Sequence, residues 1–306
     1  MEFKLNASVA GRYRMVIKKA NGEIREDTGW FENLITNLGL NKIADGPFPN
    51  VCSRCCVGSG AATPLPTDVK LQSHVATKLG QLSLTHGNVI TEPIYGWSRS
   101  VFQFAEGAAA GTLAEVGVGW GGNTTGIDLF SRARIKNSLG EEILLTVLSD
   151  EILEVTYELR LYPPTDDVVS TMDLNGTTHT ITARPSNTNT INWQPGRLLG
   201  EGYALYAVAV YSGVIGTRTQ TPSGTTSGSS AHSFAPYVQD SFKLKASPVW
   251  GLNNGNFAEF VKSLNYATYS IGSFQFGFVP PLPKNADRIL TITVEMSWNR
   301  HDPGVI

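Results

Sequence analysis

The chain has 306 residues, and its 24 Lys+Arg against 26 Asp+Glu give a formal charge of −2, which excludes strong electrostatic capture by nucleic acid or an acidic membrane. Only 16% of residues are charged, whereas Ser, Thr and Asn number 24, 28 and 19, so uncharged polar groups must supply the surface. This composition excludes a coiled coil, a membrane-spanning helix and a disordered tail.

The first fifteen residues carry charges within a few positions of each other and no apolar run, so no secretory leader is expected. Arg12 to Lys18 alternates as a strand and meets Glu23 to Phe31 across Asn21-Gly22, a pair that tolerates the positive φ of a hairpin turn. Thr36 or Asn37 caps a short helix with Leu40 and Ile43 on one face, ended by Gly46-Pro47. Strand patterns follow at Val51–Val57, Ser73–Leu84, Tyr95–Phe104, Thr112–Trp120, Ile143–Leu148 and Ile152–Leu161. Pro163-Pro164 then stops the ladder, and Asp166-Asp167 marks a joint. It divides an N-terminal β domain, residues 1–165, from a C-terminal β domain, residues 166–306.

Beyond the joint, Val168–Leu174 and Thr177–Ala183 flank Asn175-Gly176, a second hairpin signal. Tyr203–Tyr211, Val238–Ala246, Tyr269–Phe278 and Ile289–Trp298 read as strands, and Phe257–Leu264 as a short amphipathic helix. The Ser/Thr/Gly-rich run from Thr217 to Ser230 is expected to be a mobile loop. The fold class is all-β: two antiparallel β-sandwich-like domains with one or two short helices.

Four features invite chemical readings. Cys52, Cys55 and Cys56 have a metal-like spacing, but no second cysteine pair exists to complete four ligands. On a strand, Cys52 and Cys56 would share a face and Cys55 would point away, so free, reduced, buried thiols are expected. Asp150, Glu151, Glu154, Asp166 and Asp167 are the carboxylates for a two-acid glycosidase, yet turn carboxylates are commonly solvated. Gly117 to Gly122 has no helix after it to receive a phosphate and reads as a close strand approach. Trp97, Trp120, Trp193, Trp250 and Trp298 are core candidates, or stacking residues where exposed. No catalytic, cofactor-binding or metal-ligating residue is assigned, and a non-enzymatic protein is expected.

Several segments resemble a family of tailed-bacteriophage virion proteins found among tail, fibre and baseplate-associated genes. They are Trp30 to Leu40, Cys56 to Gly60 with Pro64 and Pro66, Leu71-Gln72-Ser73, Gly111 to Gly119, Leu129 to Ile135, and Val147 to Tyr162, which together span about residues 25 to 165. The resemblance implies a virion structural protein assembled in the host cytoplasm, a component of the tail tip, baseplate or fibre that contacts other tail proteins. A receptor- or glycan-binding tail module and a capsid decoration protein are the alternatives. Residues 1–165 would dock on the particle and the rest face outward, without membrane insertion or nucleic-acid contact. Exposed sheet edges with a neutral surface call for a homo-oligomer, expected as a trimer.

Overall fold

The structure is a computed structural model, and it describes residues 2–45, 51–195, 205–268 and 271–302. The elements of the first half are β1 (Glu2–Lys19), β2 (Ile24–Glu32), β3 (Leu34–Ile35), α1 (Asn37–Lys42), β4 (Arg54–Gly58), β5 (His74–Leu79), β6 (Ser83–Val89) and β7 (Tyr95–Gln103). They continue through β8 (Gly111–Leu113), β9 (Glu115–Asn123), β10 (Gly126–Arg134), β11 (Leu145–Val147) and β12 (Glu151–Tyr162). The second half holds β13 (Val168–Leu174), β14 (Thr177–Pro185), β15 (Leu205–Tyr211), β16 (Thr226–Gly228), β17 (Ala231–Phe234) and β18 (Lys243–Trp250). It ends with β19 (Phe260–Thr268), β20 (Ser273–Pro283), β21 (Leu290–Thr291) and β22 (Thr293–Arg300). The fold is all-β, with sandwich-like sheets that are antiparallel except where β1 runs parallel to β22.

β1 organises the molecule. Glu2 to Val9 pair with β22, Ser8 to Lys19 pair with β12, and Arg12 to Lys18 pair with β2. The resulting long sheet runs β17-β18-β22-β1-β12-β7-β6, with β2 and β21 joined at its sides. Odd-numbered side chains of β1 point inward, as the period of two requires. Near its start Phe3 stacks on Phe276 of β20, ring centroids 4.9 Å apart. Further along, Tyr13 meets Ser131 of β10, Oη to Oγ 2.6 Å. Two smaller sheets therefore sit side by side on one face of the long sheet: β3-β10-β9-β4-β5 near the end of β1, and β13-β14-β20-β19-β15-β16 near its beginning. Gly11 lies between these regions, where a Cβ would come within 2.5 Å of the Tyr157 hydroxyl.

The division expected at residue 165 is thus crossed by hydrogen bonding. β17, β18, β21 and β22 come from the second half, yet they extend the sheet of β1, β12, β7 and β6. One buried cluster runs from Phe3 through Tyr13 and Phe102 to Phe276 and Trp298. α1 also bridges the halves: Trp298 donates its indole N–H to Leu40 O (2.8 Å), and Tyr237 donates to Asn41 Oδ1 (2.5 Å).

Local chemistry explains the elements. Asn21-Gly22 turns β1 into β2, with Gly22 at φ 88°. Thr36 caps α1 by accepting from the Gly39 N–H at 2.9 Å, and Leu40 and Ile43 are buried as expected; Gly46-Pro47 lie outside the described residues. Phe257–Leu264 is not a helix. Phe260–Thr268 forms the strand β19 between β15 and β20, burying Val261, Leu264 and Tyr266. Its β-branched and aromatic residues suit a sheet interior, and tertiary pairing overrides the short helical period.

Each smaller sheet carries a loop strapped over its outer face. Residues 59–73 cross the first, held by fully buried Glu115, which accepts from the N–H groups of Gly60 (3.1 Å), Gln72 (3.2 Å) and Ser73 (2.8 Å). Residues 212–225 cross the second. Buried Gln275 donates to Thr217 O (2.8 Å) and accepts from Gly216 N (2.8 Å), while Ser263 donates to Gly213 O (2.6 Å). Part of the Ser/Thr/Gly-rich run expected as a mobile loop is therefore held: Thr217 and Gln220 are bonded through their carbonyls to Gln275, and Thr226–Gly228 form β16.

Candidate interaction face

The other face of the long sheet, opposite both smaller sheets, has no layer over it between β2 and β6 among the described residues. Its side chains come from same-parity positions on neighbouring strands. Register sets Arg12, Glu158 and Arg99 in one cross-strand row, and Ala10, Arg160 and Trp97 in the next. Gly87 on β6 lies opposite Trp97, and a Cβ there would sit 2.5 Å from the indole, so this glycine gives the ring its room.

Glu158 is the hub. Its Oε1 accepts from Arg12 Nε at 2.8 Å and Arg160 Nε at 2.7 Å, and its Oε2 accepts from Arg99 Nε. Its side chain is 0% exposed, while those of Arg12, Arg99 and Arg160 keep 21%, 39% and 17% of their surface. Burial pushes the Glu158 carboxyl up, but the three guanidinium donors outweigh burial and hold it below the usual carboxylate range. The guanidiniums lie against rings: Arg12 is 4.2 Å from the centre of Trp30, Arg99 4.3 Å from Trp97, and Arg160 4.5 Å from Tyr95. Tyr162 extends the face by stacking on His301 at 3.7 Å, and His301 Nδ1 lies 3.0 Å from Ser8 Oγ. Each planar cation is fixed by a charge-assisted bond on its edge and a ring on its face, so little rotamer freedom remains to be lost on contact with a partner.

The chemical candidates of the sequence fall elsewhere. Cys52, Cys55 and Cys56 are buried and free, and burial pushes all three thiols well up. β4 begins only at Arg54, so Cys52 precedes the strand and does not share a face with Cys56. Cys52 and Cys55 join the main core, and Cys56 packs with Ile127 and Leu129 under the strap. Among the described residues no group of three His, Cys, Asp or Glu is placed to hold a metal ion.

The five carboxylates do not converge. Glu151 pairs with Arg25, Glu154 with Lys18 at 2.8 Å, and Asp167 with Arg184, while Asp150 and Asp166 are exposed. Gly117 and Gly119 lie in β9, and a Cβ on Gly119 would sit 1.8 Å from Asp128 O, so glycine permits the close approach of β10. Trp193, Trp250 and Trp298 are buried; Trp97 and Trp120 are half-exposed. Sequence reasoning missed the arginine–aromatic face. Its signal was the shared parity of Arg12 and Arg14, of Tyr95, Trp97 and Arg99, and of Glu158 and Arg160.

No protein-family model, no curated protein and no solved structure matches the chain.

Proposed function

We propose that the chain is a non-enzymatic structural protein of a tailed-bacteriophage particle, a tail component that docks on other tail proteins through the face around Glu158. The observation that carries the docking role is the fixed set of Arg12, Arg99 and Arg160 on Trp30, Trp97 and Tyr95, presented by a sheet. Arginine, tryptophan and tyrosine are the residues that dominate protein interfaces, and a flat prearranged surface suits a protein partner better than a small molecule. A guanidinium already covers part of each ring, which leaves less ring surface for a sugar to stack on and favours docking over the glycan-binding alternative. The phage assignment rests on the segments between about residues 25 and 165. Glu115, Arg132 and Thr36 tie several of them together: Arg132 Nε donates to Glu115 at 2.8 Å, and Thr36 Oγ1 donates to Leu129 O at 2.6 Å.

The test is incorporation into particles. Trp97→Ala combined with Arg99→Ala should fold, as judged by its melting curve, and be lost from purified particles that retain the wild-type chain. Equal incorporation of the variant refutes docking through this face. A wild-type chain found only on the capsid refutes the tail assignment, and one absent from particles refutes the virion reading.

A further inference from the structure

The edge of the second smaller sheet carries an inference about assembly. β13 is the outermost strand of that sheet, and apart from the single charge of Asp173 it lacks the devices that usually protect an edge. Its seven residues, Val168 to Leu174, contain no Lys, Arg or Pro, and they pair with β14 without a register shift. Val168 and Val169 are 54% and 63% exposed. Most other edges among the described residues are shielded; the exception is β6, which is also free of Lys, Arg and Pro and pairs with β7 without a shift. β2 has two register irregularities against β1, β5 carries Lys78 and an irregularity at its end, and β3, β16 and β17 have at most four residues. The far end of β6 is crossed by another segment, with Asn88 donating to Thr188 O and Thr190 O at 3.0 Å.

The turn fixes which backbone groups of β13 face outward. Asn175 and Gly176 both have positive φ, 51° and 79°, which defines a two-residue hairpin of the mirror-image type. In such a hairpin the pair closing the turn, Leu174 with Thr177, exchanges both backbone hydrogen bonds, and the alternation then runs back along the strand. Leu174, Met172, Ser170 and Val168 therefore bond to β14. Val169, Thr171 and Asp173 turn their N–H and C=O groups away from the sheet.

We propose that two copies of this chain pair antiparallel along β13, about a two-fold axis through Thr171. Thr171 then faces its own counterpart, and Val169 faces Asp173 of the second copy, on both sides of the axis. Each of these three pairs exchanges two hydrogen bonds, and the two six-stranded sheets become one. The alternate positions place Val168 against Leu174 and Ser170 against Met172, covering apolar side chains that a single copy leaves open. Asp173 is the only charged residue of the strand, and the two copies of it lie four residues apart along the ladder, about 13 Å, beyond the screening length at physiological salt. Self-pairing therefore brings no like charges together. Such an edge closes on a two-fold axis, so the assembly unit is a dimer rather than the trimer expected from composition.

The experiment measures the mass of the full chain in solution at micromolar concentration, and a dimer is expected. Thr171→Pro removes an outward N–H that β14 does not use, and should give a folded monomer. Thr171→Lys and Thr171→Glu leave the backbone intact; each alone should be monomeric by self-repulsion, and an equimolar mixture should form heterodimers. A monomeric wild-type chain overturns the proposal, as does a Thr171→Lys chain that remains dimeric or a mixture that stays monomeric. If the wild type is monomeric and Thr171→Pro blocks entry into particles, the edge receives a strand from a different protein, which also overturns it.

Discussion

Glu115 offers the sharpest test of how the first sandwich is held together. Its fully buried carboxylate accepts three backbone N–H groups of the 59–73 strap and faces Arg132 at 2.7 Å. Arg132, itself 3% exposed, reaches on to Asp68 at 2.6 Å and to Ala62 O at 3.1 Å. Glu115→Ala takes from the buried guanidinium one of its two carboxylate partners and leaves it only Asp68, which is itself partly exposed. Breaking a buried pair from one side costs about 3–5 kcal/mol, and a newly orphaned buried N–H adds about 1–3 kcal/mol. The strap lies at the surface, so water recovers part of this, and a net loss of about 4–5 kcal/mol is expected. Glu115→Gln keeps an acceptor oxygen and should lose roughly half as much. Urea unfolding followed by tryptophan fluorescence measures both, and amide exchange at Gly60, Gln72 and Ser73 should rise in the alanine variant. The double variant Glu115→Leu, Arg132→Met should be more stable than Glu115→Ala alone, because the deeply buried Arg132 charge is gone and Asp68, which loses its pair, keeps some contact with water and still accepts from the Leu65 N–H. A loss below about 1 kcal/mol for Glu115→Ala, or a double variant whose loss is the sum of the two single losses, refutes this account.

Cys52, Cys55 and Cys56 should resist a thiol reagent in the native protein and react fully after unfolding, and the purified chain should hold no zinc; rapid native labelling or one equivalent of zinc contradicts their burial. Glu158 has a depressed carboxyl, so its contribution is complete above the unfolded-state value of about 4.3 and is lost as pH falls through the lower folded-state value. The melting-temperature gap between wild type and Glu158→Gln should therefore be widest near neutrality and narrow in acid; a gap that widens in acid reverses the sign. A fragment of residues 1–165 lacks β22 and so exposes Phe3, Leu5 and Val9, and should self-associate more than a fragment beginning at Ala10; equal sedimentation of the two would show that β1 does not need its C-terminal partner.

What could be read from the sequence was local. Thr36 as a cap, Asn21-Gly22 and Asn175-Gly176 as turns, and the strand on either side of each follow from φ preferences and side-chain reach, which neighbouring residues determine. β10 went unread because Asp128, Arg132 and Arg134 interrupt its apolar pattern. Arg132 is buried nonetheless, since Glu115 compensates it from another strand. The composition of 217–230 predicts motion, and residues far away in sequence, Gln275 at Thr217 O and Gln220 O and the Thr188 N–H at Arg218 O, turn part of it into a strap. The arginine–aromatic face was hidden for the same reason: Trp30, Arg12, Glu158 and Arg99 lie on four strands, and register alone brings them together.

β1 also explains why a proline-rich joint at residue 165 does not make two separable bodies. A linker transmits little, but β1 passes from one sandwich to the other within one sheet, paired with β22 up to Val9 and with β12 from Ser8 onward, so the two pairings overlap at Ser8 and Val9. The lock is reinforced away from β1, where Asn41 of α1 accepts from the Asp240 N–H at 2.8 Å and Arg300 of β22 donates to Asn37 Oδ1 at 2.6 Å. These contacts join residues nearly two hundred or more positions apart, so each carries the loop-closure cost of a long-range contact. The consequence is geometric. The Glu158 face belongs to one sandwich and the β13 edge to the other, and the shared strand fixes the angle between them. A dimer formed along β13 would therefore present its two Glu158 faces in a set relation, the property that the proposed docking role needs if every copy is to meet its partner in the same way.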